Sequence, residues 1–229
     1  MNSSFRILFE DPHLAVLSKA PGLLTQGDAS GEPSLVDHLR IHFGRHYVGL
    51  IHRLDRNTSG LMVVAKRSKS ADRLSEQLRS GELSRQYHAI LWGHFKESRE
   101  ILWEHSLLKN ERTNEVRIVK ANTPGAKNAT LRILPLRNFH HPRSGDAVSV
   151  ARFSLETGRS HQIRVQAAHE GHPLLGDRKY GTAPSIPLFQ RPALHSAKLE
   201  FFHPMTREKL TFEERYCSDM LSFFSTALE

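Results

Sequence analysis

The sequence predicts an α+β protein, a single domain on a mixed, largely antiparallel β-sheet flanked by helices and loops. Three observations predict it. Short apolar runs of strand character outnumber amphipathic stretches. Their order lacks the regular strand–helix alternation of a doubly wound fold. No linker, repeat or low-complexity tract interrupts the 229 residues, a length that buries a sizeable core without staples.

The elements follow in order. Phe5–Phe9 and Leu14–Leu17 are apolar runs split by Asp11-Pro12 and read as a hairpin-like pair of strands. After Pro21-Gly22 and a polar loop from Gln26 to Pro33, Ser34 is placed to cap a helix carrying Leu35, Leu39 and Phe43, with Gly44 as its stop. Leu61–Ala65 is an apolar strand. A helix with Leu74 and Leu78 opens at Ser70 or Asp72 and ends near Gly81. Tyr87–Trp92 is a strand closed by Gly93. Residues 96–128 are polar and basic, with weak strands. Leu131–Leu136 and Val148–Leu155 are strands, His161–His169 is a helix stopped by Gly171, Leu194–Phe201 and Leu210–Phe212 are late strands, and Leu221–Leu228 is a final helix.

Composition narrows the function. Apolar residues are 38% and charged residues 24%, a globular and not a disordered balance. Lys and Arg total 32 against 24 Asp and Glu, a formal charge of +8, which points to an anionic partner, nucleic acid first. The lone Cys217 excludes intrachain disulfides, cysteine zinc ribbons and iron–sulfur clusters. No run reaches the ~18 apolar residues of a membrane span, and the first dozen residues carry charge where a signal peptide is apolar. A soluble, cytoplasmic protein without a membrane partner is expected.

The 15 histidines invite a metal reading, but His169-Glu170-Gly171-His172 is one residue short of the His-Glu-x-x-His spacing that puts two ligands on one helical face. His140-His141 are adjacent and diverge. No metal is expected. Phosphate-binding loops, the Gly-x-Gly-x-x-Gly fingerprint and the Gly-x-Ser-x-Gly elbow are all missing from the sequence, so no nucleotide cofactor is expected either.

Two polar clusters carry the chemistry. The first is Gly49-Leu50-Ile51-His52-Arg53-Leu54-Asp55-Arg56-Asn57-Thr58-Ser59-Gly60. Ile51 and Leu54 anchor it, and Asp55 falls at a turn between two arginines. A carboxylate beside Arg stays ionised at neutral pH, which suits a nucleophile; the same residues also make a plain turn. The spacing Asp55-x-Asn57-x-Ser59-Gly60 matches half of a calcium loop, but Lys66 stands where the bidentate acid belongs. The second cluster is Thr157-Gly158-Arg159-Ser160-His161-Gln162-Ile163-Arg164-Val165. Ser160 is placed to cap a helix, Arg159 at its mouth favours an anion, and His161 and Arg164 are spaced to share a face.

Taken together, these segments resemble the RluA family of pseudouridine synthases. His52-Arg53-Leu54-Asp55-Arg56-x-Thr58-Ser59-Gly60 is similar to its hallmark segment, Ser84-Arg85-Gln86-Tyr87-His88-Ala89 to its second motif and Gly158–Arg164 to its third. Gly171-His172-Pro173-Leu174-Leu175-Gly176-Asp177, Leu194-His195-Ser196-Ala197 and His203-Pro204 fit its C-terminal pattern. The resemblance runs from about residue 8 to 212. Gln166 departs from it, since many relatives have His there.

The resemblance implies the pseudouridine synthase fold and isomerisation of uridine in structured RNA, rRNA or tRNA or both. The base is cleaved from the ribose, turned and rejoined through carbon-5, with no cofactor or metal. It assigns Asp55 as the essential catalytic residue, Tyr87 as the ring that stacks on the base, and Arg164 as the partner of the aspartate. RNA contact falls to Arg53, which helps hold the flipped strand, and to His52, Arg56, Arg159, His161 and Gln162. A flipped base held by an aromatic ring is the physical route to an atom buried in a stacked helix. The chain is expected to be one catalytic domain over 1–229, without a separate N-terminal RNA-binding domain, and a monomer. The competing reading is a basic RNA-binding module that keeps the fold without chemistry. The stretch from Lys96 to Lys127 is expected to bear on target choice.

Overall fold

The structure is a computed structural model and describes residues 4–228 apart from 45, 142, 143, 183 and 186. Its elements, in chain order, are β1 (Phe5–Glu10), β2 (Leu14–Lys19), α1 (Leu35–Phe43), β3 (Gly49–Leu50), β4 (Ser59–Ala65), α2 (Ser68–Ser80), β5 (Ser84–Trp92), β6 (Ile101–Asn110), β7 (Glu115–Val119), β8 (Lys127–His140), β9 (Ala147–Leu155), α3 (Gln162–His169), β10 (Leu194–Phe202), β11 (Lys209–Glu213) and α4 (Ser218–Leu228). They pack as two compact units, each discontinuous in sequence. One runs up to Arg85 and resumes at His195–Arg215; the other is Gln86–Leu194 with the segment from Tyr216 onward. Two of the crossings fall inside β5 and β10, which is why no linker marks them in the sequence.

In the first unit the strands run β1-β2-β4-β10-β11, with β3 also beside β4. The Asp11-Pro12 turn joins β1 and β2 as expected, because Asp11 Oδ1 accepts the His13 and Leu14 amides. β4 is buried along its whole length, as an unbroken apolar run predicts for a strand covered on both faces. It pairs antiparallel with β2 and parallel with β10, so the sheet is mixed, as the sequence predicts. α1 carries the expected Ser34 cap with Asp37 closing a capping box, and Gly44 ends it at φ 60°. α2 begins earlier than expected, at Ser68 with Arg67 as N-cap; neither Ser70 nor Asp72 opens it. Leu14, Val16, Leu61, Val63, Leu74, Leu199 and Phe201 fill the core.

The second unit is antiparallel throughout, in the order β5-β9-β8-β6-β7. The polar stretch read only as weak strands contains β6, β7 and the start of β8. Polar residues disguise it because one side of the β6–β7 hairpin is exposed. β8 continues past Pro135, which sits at a register shift against β9, the position where a strand tolerates a missing amide donor. Ile90, Val148, Leu175, Ala193 and Met220 form one core cluster, and Leu107, Val116, Ala129 and Val165 another. Among the described residues no helix is long and apolar enough to cross a membrane.

Candidate active site

The segment before β4 is held through its backbone. Ile51 and Leu54 are buried, as expected for anchors. The Leu54 carbonyl accepts from Thr25 Oγ1 at 2.7 Å, the Asp55 carbonyl from the Thr58 amide at 3.0 Å, and the Arg56 carbonyl from the Gly22 amide at 2.9 Å. Lys19, only 1% exposed, donates its ammonium to the carbonyls of Ala20, Leu23 and Arg56 at 3.0, 2.9 and 3.0 Å. Three consecutive carbonyls are thus engaged under a half-buried Asp55 side chain, and the turn is pre-organised. Lys19 and Thr25 escape sequence reading, because their partners are carbonyls that any residue supplies.

The neighbours of Asp55 differ in exposure. Arg53 is exposed. Arg56 donates Nε to the Gly22 carbonyl at 3.0 Å and grips Glu32 with both terminal nitrogens at 2.9 and 2.6 Å. It therefore straps the polar loop to the turn. His52 is buried, and its Nε2 accepts the Val63 amide at 3.3 Å. Burial first, and then the Arg85 charge, push its pKa down to about 3. Unfolding frees His52 to take up a proton below its ordinary 6.5, so stability is greatest above pH 6.5 and falls as the pH drops toward 3. Between pH 6 and 4 this one group should cost about 1 kcal/mol per pH unit. Urea unfolding of wild type and His52→Gln across that range checks it. Equal pH slopes would remove His52 as the cause.

The C-terminal histidines of this unit are structural. His195 is fully buried, donates Nε2 to the Glu214 carbonyl at 2.6 Å and accepts the Ser59 hydroxyl at Nδ1, 3.0 Å. Ser196 donates to the Leu61 carbonyl at 2.9 Å. His203 accepts the Met205 and Thr206 amides at Nδ1 and turns Nε2 to Asp11 at 2.7 Å. The Ser59 and Leu61 contacts pin β10 to β4, the strand that leaves the Asp55 segment, and His203 ties the turn after β10 to the β1–β2 turn.

In the second unit, Tyr87 is 4% exposed and stands opposite Phe153 of β9. Arg164, on α3, makes a two-pronged pair with Asp177, Nε to Oδ2 at 2.7 Å and Nη2 to Oδ1 at 2.8 Å, and lies 5.1 Å from the Tyr180 ring centroid. The Lys179 and Tyr180 amides also donate to Asp177 Oδ1. Burial alone would raise the Asp177 pKa, but the Arg164 hydrogen bond and charge and these amides outweigh it and hold it below the usual carboxylate value. Asp177 is the residue that sequence reasoning missed as the anchor of Arg164; its only signal was its place at the end of the Gly171–Asp177 run. Asp177→Asn would take the two-pronged carboxylate partner from the largely buried Arg164, at a cost of about 3 kcal/mol. Chemical denaturation measures this, and a loss below 1 kcal/mol would contradict it.

The turn leading into α3 differs from expectation. His161, not Ser160, is the N-cap, in the left-handed region at φ 53°. The His161 side chain therefore lies outside the helix and shares no helical face with Arg164. Its Nδ1 meets the Tyr180 hydroxyl at 2.7 Å, and that hydroxyl accepts the Val116 amide at 3.0 Å. Gln162 is buried: its Oε1 accepts from the Thr157 hydroxyl and the Arg159 amide, and its Nε2 donates to the Thr130 carbonyl. Arg159 is exposed, with Nε on the Asn128 carbonyl at 2.9 Å. Of the residues expected at RNA, Arg53, Arg56 and Arg159 are exposed, whereas His52 and Gln162 are buried.

Among the described residues, one group has donors suited to a cation. His105, His169 and Glu170 have ligand atoms within 4.8 Å of one another. The adjacent pair His169-Glu170 is completed by a strand residue, which a spacing rule along one helix does not detect. Gln166 Nε2 donates to His105 Nδ1 at 2.9 Å, which places the imidazole proton on Nε2, facing Glu170 at 2.9 Å. As built, the trio is a hydrogen-bonded array, and a cation would require His105 to change tautomer.

The first unit carries an aspartate on a backbone-clamped turn, and the second a carboxylate-anchored arginine on a short helix. A family model described as RNA pseudouridylate synthase matches residues 13–169, and the chain belongs to that family. It is similar to the ribosomal large subunit pseudouridine synthase C of Yersinia pestis, 35% identical over 213 residues that make up 90% of this chain and 64% of that protein. It is also similar to the uncharacterized RNA pseudouridine synthase YhcT of Bacillus subtilis (strain 168), at 32% identity with 96% and 71% covered. Among solved structures, human RNA Pseudouridylate Synthase Domain Containing 1 matches with a TM-score of 0.75 and 25% identity, over 92% of this chain and 82% of that one. The chain thus spans 64% and 71% of the length of the two curated relatives.

Proposed function

We propose that the chain is an isomerase that converts uridine to pseudouridine in RNA. The observation that carries this is the His52–Gly60 segment: a family motif whose aspartate sits on a turn with the carbonyls of residues 54, 55 and 56 all engaged. In the reaction the bond from N1 to the ribose C1′ breaks and a bond from C5 to C1′ forms. The C5 proton leaves and N1 gains one. The atoms balance without oxidant, reductant or group donor, so no cofactor is required. Asp55 acts on the uridine, with Tyr87 and Arg164 in the roles the family resemblance gives them. The exposed Arg53, Arg56 and Arg159 contribute to phosphate contact. The names of the similar proteins support ribosomal RNA of the large subunit as the substrate. Transfer RNA is the second pool to test, and a cytoplasmic monomer is part of the same reading.

Tritium release from RNA labelled at uridine C5 tests the proposal, with ribosomal and transfer RNA taken from cells lacking the protein. Release from the ribosomal fraction is expected. No release from either pool, with RNA binding intact, would favour a non-catalytic binder.

A further inference from the structure

The second family motif contains a residue that the proposed chemistry leaves unused. On β5, Arg85 and Tyr87 fall on the same side of the strand, two positions apart. Tyr87 has a role; Arg85 has none. Yet Arg85 is 7% exposed, and its Nε is shut off from solvent without a hydrogen-bond partner. Among the described residues, no carboxylate forms an ion pair with it. The other arginines buried to a similar degree are matched: Arg164 by Asp177 and Arg191 by Asp219.

A second donor in the same unit shares this condition. His52 is 6% exposed, and its Nδ1 is buried without a hydrogen-bond partner. Its Nε2 accepts the Val63 amide, so the ring proton is on Nδ1 and points to no acceptor. The Arg85 charge is close enough to act on His52. Arg85 Nε and His52 Nδ1 are thus two N–H donors buried without an acceptor, and His52 lies three residues before Asp55. Burying such groups unpaired is costly. An anion arriving with the substrate would satisfy them, and in RNA the anion is the phosphodiester.

We infer that Arg85 is the receptor for a backbone phosphate next to the target uridine, with its positive charge held in reserve until RNA binds. The inference rests on the RNA reading above. It places Arg85 as a binding residue whose pairing is completed only in the complex. The design has a distinctive signature: the free protein should not need the charge, and the complex should.

Arg85→Met keeps much of the side-chain volume and removes the charge. Its melting temperature is expected to equal or exceed that of wild type. Its RNA affinity should fall about tenfold near 0.1 M salt, and the slope of log K against log salt should shrink by about 0.7–0.9, one phosphate contact. The loss should appear in KM, with kcat at saturating RNA nearly unchanged. Arg85→Lys should keep the slope. If Arg85→Met melts well below wild type, or fails to fold, while Arg85→Lys keeps wild-type affinity only through restored stability, the arginine is structural and the inference falls. An unchanged salt slope in a folded Arg85→Met overturns it as well. Both results leave the isomerase reading intact if wild type still releases tritium. If wild type neither binds RNA nor releases tritium, that reading fails, and this one with it.

Discussion

Asp55→Ala is expected to abolish tritium release, by on the order of 10³-fold or more, while RNA affinity stays within about threefold of wild type. The separation follows from how the turn is built. Thr25, Thr58, Gly22 and Lys19 hold the carbonyls of residues 54, 55 and 56, and none of these bonds uses the Asp55 carboxylate. Removing the carboxylate therefore deletes the group proposed to react and leaves these carbonyl contacts in place. The exposed arginines proposed to meet phosphates, Arg53, Arg56 and Arg159, keep their charge, so affinity is expected to survive. Single-turnover assays with a filter-binding control measure both quantities. Residual isomerisation above about one tenth of wild type would move the essential role to another residue. A parallel collapse of RNA binding would show that Asp55 organises the turn.

Gly60→Ala should unfold the first unit or come close to it, with a loss of about 4 kcal/mol or more. Gly60 has φ 109°, outside the space open to other residues. It lies in the parallel pairing of β4 with β10, opposite Ser196. A Cβ there would collide with the Ser196 carbonyl oxygen and stand 2.7 Å from its amide nitrogen, both backbone atoms that cannot rotate away. β4 is wholly buried, so no displacement toward solvent relieves the clash. Circular dichroism and denaturant titration of the variant decide the matter. A protein with near-native stability would mean that β4 and β10 separate more easily than this register allows. Gly22, with open space around its missing side chain, makes a useful comparison.

Elements whose signal is local were legible in the sequence. The Asp11-Pro12 turn, the Ser34 and Gly44 caps and the β4 run depend on neighbours within a few residues, and all were found. The α2 start was misplaced because Arg67 caps it without a side-chain hydrogen bond, which leaves nothing to read. The left-handed His161 was missed for a related reason. Its side chain meets Tyr180, nineteen residues on, and Ser160 offered a better local cap. The site divides in the same way. Family resemblance points to Asp55, Tyr87 and Arg164 as candidates, but to none of the contacts that hold them. Asp177 holds Arg164 from thirteen residues away, and the clamps on the Asp55 turn act through main-chain atoms. The two compact units leave no mark in the sequence, since the chain crosses between them within β5 and β10.

The ammonium of Lys19 makes part of this geometry indifferent to the side chains around it. Its three acceptors are carbonyls of Ala20, Leu23 and Arg56, and a carbonyl is the same at every residue. One ammonium therefore ties the loop after β2 to the turn under Asp55, and substitutions at Ala20, Leu23 or Arg56 would leave its acceptors in place.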